Sequence, residues 1–192
     1  MCNALTLAIY DRAALTAAIA QGWRPEFLFF WGHTARSSGI GKHVLSQWWP
    51  AAFSLGGVSY ASAEHFMMAE KARLFDDATT RDAVLAASKP SAAKALGRTV
   101  AGFDGRRWME HRFDIVVRAS LAKFGQNADL RGYLLETGNK VLVEASPVDR
   151  VWGIGLAADD ARAQVPAEWK GLNLLGFALM RARATLADAS AR

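Results

Sequence analysis

Between Ala63 and Phe75 the chain runs without a glycine or a proline, directly after the turn signal Gly56-Gly57. That stretch predicts a helix. Ser62 is its N-cap, and Gly56-Gly57-Val58-Ser59-Tyr60 reads as the hairpin turn and strand that deliver the chain to it. At 3.6 residues per turn, Glu64, Met68, Lys71 and Phe75 fall on one face. A carboxylate and an amine therefore sit two turns apart on a stripe that is otherwise Met and Phe. Charged groups on such a stripe are costly to bury without a partner or a task. Two readings follow. Either Glu64 favours the helix N-terminal dipole while Lys71 reaches to solvent, or the pair does chemistry.

The rest of the chain reads as short helices around a few strands. Asp11 caps a helix that Gly22 stops, and Phe27-Leu28-Phe29-Phe30-Trp31 is a buried strand. A polar loop follows, Thr34 to His43. Its Gly39-Ile40-Gly41-Lys42 invites a phosphate-loop reading that fails, because Arg36 stands where that motif needs Gly and His43 where it needs Ser or Thr. If Ser46-Gln47-Trp48-Trp49-Pro50 is extended, one tryptophan faces inward and the other lines a cleft; the alternative packs both in the core. Further helices are expected over Thr79–Ala87, Ser91–Leu96 with Ser91 as N-cap, Asp104–Phe124 closed by Gly125, and Asp129–Thr137 closed by Gly138. Lys140–Glu144 is a strand, Ala157–Lys170 a polar loop, and a last helix starts after an N-cap at Asn173 with the stripe Leu175, Leu179, Ala182 and Leu186. Helices dominate, without strict strand–helix alternation. The expected architecture is α+β: a single, mostly helical domain over residues 1–192, its core spanning about 27–186, with a small antiparallel or mixed sheet.

Charge and composition narrow the function. Eight Lys or Arg between Lys89 and Lys123 (Lys89, Lys94, Arg98, Arg106, Arg107, Arg112, Arg118, Lys123) face Asp104, Glu110 and Asp114, so this segment's excess equals the net charge of +5. Such a field suits an anionic ligand, or is a solvated basic helix face. No apolar run approaches a membrane span. Met1–Tyr10 lacks the basic start of a signal peptide, and Cys2, the single cysteine, forms no intramolecular disulfide and fits a cytoplasmic protein. His33, His43, His65 and His111 show no metal-ligand spacing, so no metal and no cofactor are expected. Trp152-Gly153-Ile154-Gly155 lacks the third glycine of a dinucleotide fingerprint. Seven tryptophans beside a basic segment suit a planar base on a sugar phosphate, or simply a core.

Five blocks in order, Phe29-Phe30-Trp31-Gly32-His33, Ser46 to Pro50, Ala63 to Ala72, Val151-Trp152-Gly153-Ile154-Gly155-Leu156 and Trp169 to Gly176, resemble the signatures of the NADAR, or YbiA-like, family. The resemblance implies an α+β fold of its own type and N-glycosidase activity. Its substrates would be phosphoribosylamino-pyrimidine intermediates of riboflavin synthesis or, alternatively, ADP-ribose attached to guanine in DNA. A non-catalytic module binding ADP-ribose or nucleotides is the other class it implies. By the match, Glu64 is the catalytic glutamate and Lys71 a second catalytic group, either a cationic anchor or a nucleophilic amine. The apolar neighbours Met67, Met68 and Ala72 tilt the reading of Lys71 towards the amine. Trp31, Gly32, Trp48, Trp108, Trp152 and Asn173 become substrate-contact candidates. Ile154 stands where the compact family version has an aspartate, so Asp149, Asp159 or Asp160 is expected to supply the second acid. The implied partners are a ribosyl-phosphate or ADP-ribosyl small molecule and ADP-ribosylated DNA, with no membrane.

Overall fold

The computed structural model describes residues 9–34 and 39–190. Cys2, most of Met1–Tyr10 and Arg36 lie outside the described residues. The elements are α1 (Arg12–Ala20), β1 (Phe27–Phe30), β2 (Phe53–Leu55), β3 (Val58–Tyr60), α2 (Ala63–Leu74), α3 (Ala78–Ala86), α4 (Pro90–Gly97), α5 (Gly105–Gln126), α6 (Ala128–Glu136), β4 (Val141–Glu144) and α7 (Leu174–Ser190). This is the expected α+β class, mostly helical. The described strands do not join one sheet. β1 and β4 pair in parallel, Phe27 opposite Val141 through Phe30 opposite Glu144, and β2 and β3 form a separate antiparallel hairpin. A parallel pair requires a long crossover, and here it carries α2 through α6.

The hub is α2. It packs against α3, α4 and α5, and every residue from Ala63 to Ala72 except Lys71 is buried. The stripe expected from periodicity is therefore too narrow: the helix is enclosed on nearly all sides, which obliges each of its polar side chains to find a partner. Ser62 caps it by accepting from the His65 amide, and its hydroxyl also meets His65 Nδ1 at 2.8 Å. His65 Nε2 lies 3.0 Å from the Ala87 carbonyl. Glu70 accepts from Arg73 at 2.9 and 3.0 Å and from Arg118 at 2.9 Å. These three side chains are satisfied. α4 approaches α2 so closely at Gly97 that a Cβ there would overlap the Met68 side chain.

Several local expectations are corrected. Pro90 opens α4 as its first residue with Lys89 as N-cap, the position where a missing N–H costs nothing, so Ser91 is inside the helix. α5 runs through Gly125 to Gln126, because Asn127 donates to the Lys123 carbonyl and ends the helix there. The stretch before Pro50 is not a strand; a 3-10 turn at Lys42–Leu45 leads into a turn at Ser46–Trp49. The two tryptophans nonetheless part company, Trp49 stacking near His43 (4.4 Å) and Trp48 facing a cavity.

Candidate active site

The loops after β1 and β4 leave the C-terminal ends of the parallel strands, the region where such strands commonly open a binding crevice. Here they border a cavity of about 930 Å³. Trp31, Gly32 and His33 follow β1; Glu144, Ser146 and Asp149 end and follow β4; Trp152 comes from the next turn. Glu64, Met67, Met68 and Lys71 of α2 form the opposite wall, with Gln47 and Trp48 beside them, and Lys94, Arg98, Trp108 and Arg112 reach in from α4, the turn after it and α5. Of the eight cations between Lys89 and Lys123, three face the cavity. Arg118 instead secures Glu70, and Lys123 is wholly buried, its Nζ donating to the Val44 and Ser46 carbonyls at 2.6 and 2.8 Å. Lys123 thereby fixes the turn that carries Gln47 and Trp48.

Glu64 is the exception on α2. It is 2% exposed, and its Oε1 has no hydrogen-bond partner. Burial lifts its carboxyl from the ordinary 4.5 to about 7; Asp149 adds to the rise, while Lys94, a hydrogen bond from the Trp48 side chain and Arg98 oppose it. Lys71 is half-buried. Its Nζ donates to the Gly97 carbonyl at 2.6 Å and lies 4.2 Å from the Phe103 ring centre and 5.8 Å from that of Trp108. Burial lowers its pKa, and no carboxylate pairs with it among the described residues.

Asp149 turns its Oδ1 to the backbone amides of Val151 and Trp152, both at 2.8 Å, and so sets the turn that presents the Trp152 ring. Trp48 lies 5.4 Å from His33, with Lys94 Nζ 5.6 Å from its ring. Trp31 is 59% exposed at the cavity edge. The structure thus gathers Glu64, Lys71, Trp31, Gly32, Trp48, Trp108, Trp152 and Asp149 around one space.

Three expected site residues are corrected. Asn173 is fully buried; its side chain accepts from the Glu144 amide and donates to the Leu142 carbonyl, each at 2.9 Å. It holds α7 to β4 and has no surface for a ligand. Asp159 is exposed and outside the cavity, and Asp160 is occupied by Arg162 at 2.6 Å. Sequence reasoning missed Glu144 and Gln47, whose Oε2 and Oε1 are buried, unpartnered and on the same cavity. One signal for Glu144 was present: an acid that closes the fully buried strand Val141-Leu142-Val143.

Fold and cavity together define an α+β protein with a carboxylate-floored, tryptophan-walled pocket. Residues 29–187 match the NADAR domain model, and the chain belongs to that family. It is 45% identical to the N-glycosidase R617 of Acanthamoeba polyphaga mimivirus over 82% of this chain and 95% of that protein. It is 32% identical to the N-glycosidase YbiA of Escherichia coli (strain K12) over 72% of this chain and 77% of that one. The NMR structure of E. coli YbiA superposes with a TM-score of 0.71 at 25% identity, covering 88% of this chain and 90% of the other. A protein named for riboflavin biosynthesis in Vibrio vulnificus (strain YJ016) is 30% identical over 75% of this chain, which spans 35% of that longer protein. By these relationships the chain is an enzyme, an N-glycosidase that hydrolyses N-glycosyl bonds.

Proposed function

We propose that the bond cleaved joins C1′ of a phosphate-bearing ribose to a nucleobase-like amine, with phosphoribosylamino-pyrimidine intermediates of riboflavin synthesis as the substrate class. The observation that carries this is Glu64, a buried carboxylate with an unpartnered oxygen at a cavity whose walls are tryptophan and whose edge is cationic. Cleaving a C–N glycosidic bond builds positive charge on the sugar carbon. Ionised Glu64 stabilises that charge and takes a proton from the water that completes the reaction. Trp108 and Trp152 offer faces for a planar base, and Lys94, Arg98 and Arg112 suit the phosphate. Lys71 is desolvated and has no carboxylate partner among the described residues, the setting of a nucleophilic amine. In this reading it attacks C1′ and holds the opened sugar as an imine until water releases it. The Vibrio relative's name favours the pyrimidine substrate.

The cavity volume of about 930 Å³, with the exposed Trp31 at its edge, favours a second reading, an ADP-ribosyl group on guanine. Mass-spectrometric product analysis separates the two. The purified enzyme is incubated with a phosphoribosylamino-pyrimidine and, separately, with ADP-ribosylated DNA. Release of ribose 5-phosphate from the first supports the leading reading. Release of ADP-ribose from the second alone replaces it.

A further inference from the structure

Glu144 closes β4, and its main chain is pinned from three sides. Its amide donates to Asn173 Oδ1 at 2.9 Å, its carbonyl accepts from the Ile154 amide at 2.9 Å, and the next residue's amide donates to Phe30 O at 2.8 Å. Gly153 permits this approach, since a Cβ there would stand 2.8 Å from the Glu144 carbonyl oxygen. A backbone held this firmly gives its side chain a fixed origin at the cavity wall. Glu144 lines the cavity there, and its Oε2 is buried without a partner.

Burial raises the carboxyls of both glutamates of this cavity, and Asp149 acts on both in the same direction; what differs is the set of groups that favour the anion. Lys94 and Arg98, of α4 and the turn that ends it, and the Trp48 side chain act on Glu64, and all three favour its anion. For Glu144 the charged neighbour that acts is the Asp149 carboxylate, which disfavours a second anion, and burial acts in the same direction. Glu64 therefore has cationic and hydrogen-bonding support for its anion that Glu144 lacks, and such a difference suits a base and an acid. Lys71 and Arg112, the remaining cations bordering the cavity on α2 and α5, are not among the groups that shift Glu144.

We propose that Glu144 is the general acid of this cavity, delivering its carboxyl proton to the nitrogen of the departing base. The assignment rests on the reading that Glu64 serves bond cleavage here. As the C1′–N bond breaks, its electron pair goes to the nitrogen, the Glu144 O–H proton follows, and Glu144 becomes a carboxylate. The new bond at C1′ comes from the Lys71 amine or from water. The proton of the water consumed passes to Glu64, which releases it to solvent, and Glu144 takes one proton back from solvent, so that both carboxyls are restored and each turnover uses one water. Glu144 keeps its proton up to about pH 8, so at neutral pH it is loaded for this task.

The test uses Glu144→Gln and Glu64→Gln in the full chain, each checked for native circular dichroism. Two probes are compared: a phosphoribosylamino-pyrimidine, whose nitrogen must be protonated to leave, and 4-nitrophenyl riboside 5-phosphate, whose leaving group needs no proton. Glu144→Gln is expected to lose about 10²–10⁴-fold in kcat on the amine, the scale of a removed general acid, and only a few-fold on the nitrophenyl probe. It should also lose the wild-type fall in kcat as pH rises through about 8. Glu64→Gln should lose activity on both probes. Equal losses on both probes for Glu144→Gln, or an unchanged alkaline limb, overturn Glu144 as the acid. If the nitrophenyl probe is not turned over, the alkaline limb on the amine decides alone. A fully active Glu64→Gln enzyme, or a wild type inert on the amine, overturns the underlying reading instead.

Discussion

Replacing Glu64 by Gln should make the protein more stable and nearly inactive at once. The carboxyl titrates at 4.5 in an unfolded chain and at about 7 in the fold, with burial as the main cause. Below pH 4.5 it is neutral in both states and contributes no difference. Between 4.5 and about 7 the unfolded chain gives up this proton while the folded one retains it, so stability falls as pH rises. Above about 7 the loss is complete. At about 1.36 kcal/mol per pH unit, the gap amounts to about 3 kcal/mol. A glutamine side chain has the same shape and no titration, so this fall disappears from the variant. Urea denaturation of both proteins at half-unit steps from about pH 5 to about pH 8 measures the difference. For a chain of this size it corresponds to on the order of 6–12 °C in Tm at the alkaline end. A constant offset from the new amide cancels, because only the pH dependence is read. Turnover should drop at least ~100-fold. Parallel stability curves for the two proteins across this range would refute a buried acid with a raised pKa at position 64.

Ala in place of Trp108 or Trp152 should weaken substrate binding by roughly 1–3 kcal/mol each in titration calorimetry, the usual value of base–aromatic stacking. Both rings are only half-buried, so denaturation should show less than the ~3–5 kcal/mol loss of a fully buried aromatic. Lys71→Arg should be as inactive as Lys71→Ala, and borohydride during turnover should fix the sugar's mass on the Lys71 peptide; an active Lys71→Arg enzyme with no trapped adduct returns Lys71 to the role of cationic anchor. Arg118→Met removes a 2.9 Å ion pair to Glu70, whose carboxyl is held below its ordinary range by Arg73 and Arg118 against the effect of burial. A depressed acid stabilises the fold above its ordinary value of 4.5 and loses that contribution as pH falls. The variant should therefore cost roughly 1–3 kcal/mol at neutral pH and progressively less as the solution is acidified, measured by denaturation at each pH.

What the sequence disclosed follows from how local each determinant is. Caps and glycine stops act within one turn, so Asp11, Ser62 and Gly138 marked their helix ends correctly. The Gly56-Gly57 hairpin was legible for the same reason, both residues having positive φ. Ser91 and Gly125 failed as signals because a proline one position earlier and an asparagine side chain two positions later override them. The pairing of β1 with β4 was invisible, since five helices separate the strands and their periodicity carries no partner information. Glu64 and Lys71 could be singled out because one helix carries both. Glu144 could not, because its significance depends on Asp149, on the Asn173 side chain and on an α2 wall that only the fold brings opposite. Asn173 does stand one residue before α7, as its sequence position suggested, but it misled as a substrate contact, a reading that came from the resemblance: only packing reveals that its amide group joins the Glu144 amide and the Leu142 carbonyl of β4.

Most buried polar groups away from the cavity are matched among the described residues, with His43 Nε2 an exception. Lys123 is given two carbonyls, Asn173 a donor and an acceptor, Glu70 two arginines, and His65 a contact at each nitrogen. Against that background the unpartnered atoms on the cavity are informative in kind as well as in number. Gln47 Oε1, Glu64 Oε1 and Glu144 Oε2 are all oxygens, contributed by a turn, a helix and a strand end; the amide oxygen and an ionised Glu64 accept hydrogen bonds, and the protonated Glu144 carboxyl donates one. Such a set is completed by a ligand that offers both donors and acceptors, and a sugar bearing hydroxyls beside a nitrogen-containing base is such a ligand. Leaving these groups unmatched costs the free protein stability, which the bound substrate restores when its donors meet them. In the proposed reaction, the unmatched groups that make the fold less stable without substrate thereby favour binding of the compound whose bond Glu64 would help break.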